Sequence, residues 1–427
     1  MASQFASPEL FERQRHDALK SLLAYAAGTN AFYARHLAPV ITSSGDIDVA
    51  GWEAIEPMGR PSLDAAQGIL SNSEIPASHG STRVVLTSGS TSRPLRVPRT
   101  VMSDTADKAA SLRFHAWHGI DFARDLAQVR ALAIEPRRRQ GVHVDTERWG
   151  EPWMPATERG RIRQLSVFAP LRQQLDWLAS FDRPAYLNTF PSNLVALSDY
   201  LEATGADAPA LAGVLSVGEA VNGDVRTLCA RHWPEIVDLY STAECGGVAG
   251  QCPDGDCSHV FAEVCLVEIL DDNGRPCRIG EQGWLTVTPF YNYALPLFRY
   301  QPGDRGAWAP PCGCGRTLPA LMPEVSRPRY AIELGIDAHW HAPAALHRAL
   351  CDTLPGCRWR IVQTGKRALE LVYMRPATAG DIDVPGAIRA VRARATKRAK
   401  VEARETGVLG PGPGGKFSRL LNEVWGP

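Results

Sequence analysis

Leu19, Leu22, Leu23 and Ala26 recur at i, i+3, i+4 and i+7. That spacing lays a single apolar stripe along a helix, so the opening segment is expected to be α-helical. From about Arg83 the pattern changes to short apolar or β-branched runs punctuated by Gly, Ser and Pro, as at 83–86, 213–217 and 235–239. Helix-length stretches at 192–203 and 223–232 fall among them. Strands alternating with helices predict an α/β fold whose strands are buried and largely parallel. Beyond the 326–330 region the texture changes again. Runs at 359–363 and 368–373 flank Thr364-Gly365-Lys366 as in a β-hairpin. A helix-compatible run at 387–403 and a Gly/Pro-rich tail loop at 407–415 follow. Two domains are expected: a large α/β domain over 1–326, with mixed sheets and helices, and a small α+β domain over 327–427. No internal repeat stands out.

Composition narrows the classes. The chain has 427 residues, 44% apolar and 22% charged, which excludes wholesale disorder and fibrous architectures. Lys+Arg and Asp+Glu both total 46, and a net charge of zero argues against bulk binding to nucleic acid or an anionic membrane. No stretch approaches the roughly 18 apolar residues of a membrane span. Glu9, Glu12, Arg13 and Arg15 stand where a signal peptide would need its apolar segment, so a soluble, cytoplasmic protein is expected. All 10 Cys lie at or beyond Cys229, and thiols crowded in a long chain point to a metal before disulfides.

The most chemical local feature is Leu86-Thr87-Ser88-Gly89-Ser90-Thr91-Ser92-Arg93-Pro94. It follows a strand, surrounds one Gly with hydroxyls and adds a cation, a composition suited to cradling phosphate on backbone N–H groups. The second Gly and the Lys-Ser/Thr of a Walker loop are missing. The same residues also suit a surface turn.

Four further segments occur in order: Val217-Gly218-Glu219, Tyr240-Ser241-Thr242-Ala243-Glu244, Tyr300-Gln301-Pro302-Gly303-Asp304 and Gly414-Gly415-Lys416-Phe417-Ser418-Arg419. Together with the hydroxyl-rich loop they resemble the acyl-adenylate-forming superfamily over nearly the whole chain. Ala26 through Phe32-Tyr33, Leu295-Pro296-Leu297-Phe298-Arg299-Tyr300 and Cys312 to Thr317 are similar to its phenylacetate–CoA ligase-like branch. The sequence departs from the family pattern at Ser92, at Leu95-Arg96, at Thr242-Ala243 and at the 326–329 hinge.

The resemblance implies a role for each segment. Thr87, Ser88, Gly89, Ser90, Thr91 and Arg93 would hold phosphates of ATP. Gly218 and Glu219 would lie near the adenine, Tyr240 would stack on it, and Ser241 and Thr242 would belong to the same nucleotide site. Asp304 would accept both ribose hydroxyls, a task for a two-oxygen acceptor. Glu244 would ligate Mg²⁺, a hard ion that takes oxygen donors. Arg327 would sit near the ribose or phosphates. Lys416, on a mobile lid, would stabilise charge at the α-phosphate in the transition state. His115, Trp117, His118 and Val217 would border an acyl pocket suited to an aryl acid, although the cluster Phe114–Trp117 also suits plain core packing.

Cys252 and Cys257 are spaced Cys-x₄-Cys, with His259 two residues on and Cys312-Gly313-Cys314 further along. Two compact thiol pairs suit a closed tetrahedral Zn²⁺ site. The resembled branch implies a structural zinc with His259 in place of Cys257, and the spacing leaves both open. Arg389, Arg392, Arg394, Lys397, Arg398, Lys400 and Arg404 form a basic run, either a solvated face or a surface for coenzyme A phosphates or an acidic carrier protein.

The expected function is therefore ATP-dependent activation of a small-molecule carboxylic acid, aromatic by resemblance, to an acyl-AMP. Transfer to coenzyme A or a carrier's phosphopantetheine would follow. An amine acceptor is the alternative, as is a non-catalytic nucleotide- or nucleic-acid-binding zinc protein, which the zero net charge and lack of an aromatic-basic RNA motif disfavour. No nucleic-acid or membrane partner is expected, and a homodimer stays open.

Overall fold

The computed structural model describes residues 2–65, 70–71, 74–87, 95–132, 143–150, 154–322, 331–332, 344–376, 380–396, 398–412 and 414–424. Ser88, Gly89, Ser90, Thr91, Arg93, Arg327 and Lys397 lie outside them. The chain folds as a mixed α/β protein in two compact units, each assembled from two chain segments: Met1–Ile120 with Leu239–Ser326, and Asp121–Asp238 with Arg327–Pro427. Among the described residues, no helix is long and apolar enough to cross a membrane.

In the first unit, helix α1 (Pro8–Thr29) begins where Ser7 caps the amide of Leu10 and Pro8 takes a position that has no hydrogen bond to lose. Its expected stripe is the buried one: Leu19, Leu22, Leu23 and Ala26 all enter the core. Helix α2 (Val101–Trp117) is fixed by a reciprocal capping box between Thr100 and Ser103. One sheet joins Met58–Gly59, Tyr300–Gln301, Gly283–Pro289 and Cys265–Leu270, and Arg305–Gly306 adds to the third of these. A second runs through Leu239–Thr242, Gly246–Gln251, Ser258–Val260 and Ala320–Leu321. Apart from the short pairing of 58–59 with 300–301, these ladders are antiparallel, where largely parallel strands were expected. The reason is the connections: links as short as 243–245 cannot make a parallel crossover.

The second unit holds the parallel sheet. Its order is His143–Arg148, Arg161–Ser166, Leu126–Arg130, Tyr186–Thr189, Gly213–Ser216 and Ile236–Val237, and only the first strand is antiparallel. Ala127, Val129, Leu165, Leu187 and Val214 share one core with residues of helices α3 (Leu171–Ala179), α4 (Pro191–Thr204) and α5 (Gly223–Cys229). The run at 235–239 splits, since 236–237 joins this sheet and Leu239 starts a strand of the antiparallel sheet.

The C-terminal segment adds α6 (Ala344–Thr353), α7 (Val384–Arg394) and a sheet ordered Lys400–Glu405, Ala368–Met374, Arg358–Gly365, Leu420–Asn422. The hairpin forms as expected. The single helix expected over 387–403 does not: α7 ends at Arg394, and 400–405 is a strand parallel to Ala368–Met374. Lys400, Glu402 and Arg404 alternate with Val401 and Ala403, a period-two pattern that the basic run disguised. The basic residues thus sit on two elements, and Arg404 pairs with Glu370 at 2.7 Å and Arg389 with Asp383 at 3.3 Å.

One charge organises the first unit. Arg299 is only 1% exposed. It donates to Glu268 (3.0 Å) and to the carbonyls of Glu53 (2.8 Å) and Ile55 (2.7 Å), in a backbone with φ +48°. An arginine fork that meets a carboxylate and two carbonyls is fully committed, and its removal strands Glu268. Arg299→Ala is expected to lower the unfolding free energy by about 3–5 kcal/mol. A urea titration showing a loss below about 1 kcal/mol, the level of an exposed ion pair, would contradict this.

Candidate active site

In the second unit the strand Gly213–Ser216 runs into a turn at Val217, Gly218 and Glu219. Gly218 takes φ +70°, which favours glycine. The Glu219 carboxylate accepts from the Ser192 amide (2.8 Å), the Ser192 hydroxyl (3.0 Å) and the Phe417 amide (3.2 Å). Burial pushes its pKa up, opposed by those donors and by the nearby charge of Lys416. Lys416 donates its ammonium to the Gly218 carbonyl and lies 5.9 Å from the centre of the Phe190 ring. Gly415, at φ +82°, packs so closely that a Cβ there would come within 2.7 Å of Val167 and 3.0 Å of Phe190. Lys416, Gly218 and Glu219, three residues from two separate sequence segments, therefore meet at the carboxyl ends of parallel strands, where ligands of α/β sheets gather. Half-buried Val217 packs against the same core. Ser192 and Phe190 escaped the sequence reading, although the Phe190-Pro191-Ser192 entry to α4 marks a helix start.

In the first unit Tyr240 donates its hydroxyl to Asp304 at 2.7 Å, with Asp304 only 6% exposed. Glu244 is buried, and its Oε1 accepts from Tyr300 (3.2 Å) and faces Arg60 (3.5 Å). That geometry leaves Oε2 as the carboxylate oxygen for a cation, which fits a magnesium site built on one carboxylate and phosphate oxygens. Thr242 accepts the Cys245 amide at 3.0 Å, Ser241 is exposed, and both lie on the Tyr240 strand. Thr87 closes the base of the hydroxyl-rich loop through two hydrogen bonds to Leu95 (2.8 and 3.0 Å).

Two of the aromatic residues expected to border the acid, Trp117 and His118, pack beside the thiol-bearing loops. The Trp117 ring lies under Arg316 (4.8 Å) and Arg113 (5.6 Å), turns an edge to His259 (5.9 Å), and donates its indole N–H to Gln4. His118 Nε2 reaches the Gln251 carbonyl at 3.0 Å. Burial, with His118 beside it, pushes the His115 pKa down to about 4, so that ring is neutral near pH 7. Trp117 and His118 thus pack around the start of the thiol-bearing loops.

Those loops converge. Ligand atoms of Cys252, Cys257, His259 and Cys312 all lie within 4.8 Å of one another, and Cys314 Sγ is 3.2 Å from His259 Nε2. His259 is buried and its Nδ1 is 3.3 Å from the Leu318 carbonyl. That contact suits an Nδ1–H tautomer and leaves Nε2 free for a metal. Burial, reinforced by the neighbouring thiols, pushes Cys252 up to about 11, so a thiolate forms there when a cation takes its charge. A compact N/S donor set with an oriented imidazole fits Zn²⁺. Cys257 and His259 both belong to the cluster, so proximity does not choose between them.

No protein-family model matches the chain, and no curated protein matches its sequence. Solved structures do match in shape. The crystal structure of 2-hydroxyisobutyryl-CoA ligase in the postadenylation state with 2-HIB-AMP gives a TM-score of 0.68 at 18% identity, covering 95% of this chain and 88% of that one. The same enzyme in the thioesterification state with 2-HIB-AMP and CoA gives 0.60 at 19% identity, covering 98% and 90%. O-succinylbenzoate coenzyme A synthetase from Bacillus subtilis, in complex with AMP, gives 0.50 at 14%, covering 88% and 78%. The fold is that of the acyl-AMP-forming coenzyme A ligases. A fold at such identity fixes the path of the chain, and its chemistry rests on residues.

Within this fold the Gly218 turn is a sensitive point. An alanine Cβ there would stand 3.0 Å from Lys416 Nζ in a left-handed backbone. Gly218→Ala is expected to destabilise the protein by about 1–2 kcal/mol, the cost of that backbone for an L-residue. Chemical denaturation that finds no loss would show that the turn has another conformation.

Proposed function

We propose that the chain activates a carboxylic acid with ATP and passes the acyl group to a thiol. A carboxylate oxygen attacks the α-phosphorus, the bond to the bridging oxygen breaks, and pyrophosphate leaves with that electron pair. The acceptor sulfur then attacks the acyl carbonyl, AMP departs, and the thiol proton is released. Both reactants of the first step are anions, so orientation and charge stabilisation supply most of the rate.

The observation that carries this reading is the seat of Lys416. A Gly-rich loop delivers its ammonium to the Gly218–Glu219 turn at the ligand edge of the parallel sheet. That fixed charge would stabilise the α-phosphate as charge develops. Asp304, paired with Tyr240, would take the ribose hydroxyls, and Tyr240 would stack on adenine. Glu244 would hold Mg²⁺, which supplies charge neutralisation at phosphate oxygens when bound. Thr87 and the loop residues Ser88, Gly89, Ser90, Thr91 and Arg93 would receive the phosphates, and Arg327 the ribose side. The complexes of 2-hydroxyisobutyryl-CoA ligase with an acyl-AMP and with CoA support the same two steps on this fold.

An aromatic acid is the proposed substrate, on the resemblance of residues 295–300 and 312–317 to phenylacetate–CoA ligase-like proteins. Coenzyme A is the proposed acceptor and a carrier protein's phosphopantetheine the second, with action in the cytoplasm. The thiol cluster is proposed as a structural zinc site.

Two measurements test this. Pyrophosphate exchange into ATP, across a panel of aryl and aliphatic acids with Mg²⁺, should be acid-dependent, with aryl acids preferred. In Lys416→Ala the exchange should fall by about a hundred- to a thousandfold while ATP binding persists. Near-normal exchange in that variant would remove Lys416 from the chemistry. Metal analysis of purified protein should find stoichiometric zinc, lost in Cys312→Ser together with a lower melting temperature. Clearly sub-stoichiometric zinc in the native chain would refute the site.

A further inference from the structure

Helix α4 carries two polar residues seven positions apart, Ser192 and Asp199, two turns along one face. Both grip the loop that bears Lys416. Ser192 and Glu219 receive the Phe417 amide at 3.4 and 3.2 Å, one residue after the lysine. Asp199 receives Arg419, three residues after it, with 2.7 Å from Nη2 to Oδ2. The second carboxylate oxygen accepts from His347 Nε2 at 2.7 Å, and Arg419 Nη1 donates to Nδ1 of the same imidazole.

The three side chains therefore close a ring of hydrogen bonds in which each has a partner on both sides. His347 serves as donor and acceptor at once, as a neutral imidazole can. The Arg419 guanidinium also lies 4.8 Å from the Trp359 ring, which holds the fork flat. Asp199, His347 and Cys351 are close enough to suggest a cation site. The Arg419 guanidinium already supplies the positive charge beside Asp199 and His347, so the cluster is a clamp.

Sequence placement gives the clamp its consequence. Asp199 belongs to α4, whereas His347 and Arg419 belong to the C-terminal segment with Lys416. Helix α6 has an additional anchor, since Asp224 accepts the Ala344 amide at 2.8 Å. Loss of Asp199 therefore removes one of the two grips that α4 has on the lysine loop, while α6 keeps its own anchor. We propose that Asp199, through Arg419 and His347, is a positioning residue for adenylation, holding Lys416 at the Gly218 turn in the first half-reaction. This rests on the ligase reading above.

The test separates the two half-reactions in the full-length protein. Asp199→Asn keeps the shape of the side chain and removes its charge. Its acid-dependent ATP–pyrophosphate exchange is expected to fall about ten- to a hundredfold in kcat, as for a misplaced catalytic group. Consumption of preformed acyl-AMP by coenzyme A should stay at or above the wild-type rate. Arg419→Gln should show the same split, and the double variant should be no worse than either alone, because one interaction is lost in all three. Equal losses in both half-reactions, no loss in either, or additive losses in the double variant would overturn the proposal.

Amide hydrogen exchange keeps the clamp separable from the ligase reading. Asp199→Asn should speed exchange in 414–422 while 344–353 stays protected. If the wild-type chain activates no acid, the ligase reading and the adenylation role of the clamp both fall, and this measurement still shows whether the clamp exists. Unchanged protection across 414–422 would show that it does not.

Discussion

Glu219 is a half-buried carboxylate that finds its hydrogen bonds inside the protein. It finds them at the start of α4, through the amide and hydroxyl of Ser192, and at the Phe417 amide. A buried anion without such donors would be costly, and with them it ties two distant parts of the sequence together. The Gly218 turn, the Gly415 approach and the seat of Lys416 all follow from that tie. Its hydrogen bonds make this glutamate the dock for the lysine loop.

A similar logic holds the other unit together. The committed guanidinium of Arg299 anchors Glu268 and two loop carbonyls next to the strand Tyr300–Gln301. Tyr300 then reaches Glu244, and Asp304, a few residues on, receives Tyr240. The acidic residues proposed for magnesium and ribose are thus each held by a tyrosine hydroxyl that the core positions. Such support from behind keeps a carboxylate oriented before its ligand arrives.

The thiol cluster shows how one surface can be read in two ways. Phe114, His115, Trp117 and His118 form an aromatic group at the end of α2, and an aromatic group is what an aryl acid would favour. In the folded chain Trp117 stacks between Arg113 and Arg316 and edges onto His259.

Much of the architecture was legible from local pattern. The α1 stripe and the hairpin of 359–363 with 368–373 follow from periodicity and turn chemistry, which the chain states locally, whereas the five ordered segments were legible through resemblance to a known family. The Cys and His positions likewise announced the donor set. The antiparallel ladders of the first unit were less visible because strand direction depends on the connections, and the strand at 400–405 because a basic run hides a period of two. What only the tertiary structure decided is which distant side chains share a hydrogen bond. Asp199 with Arg419 and His347, Glu219 with the Phe417 amide, and Arg299 with Glu268 are separated by tens to hundreds of positions. Local propensity sets what each segment becomes, whereas burial sets which polar groups must meet, and burial is a property of the packed chain.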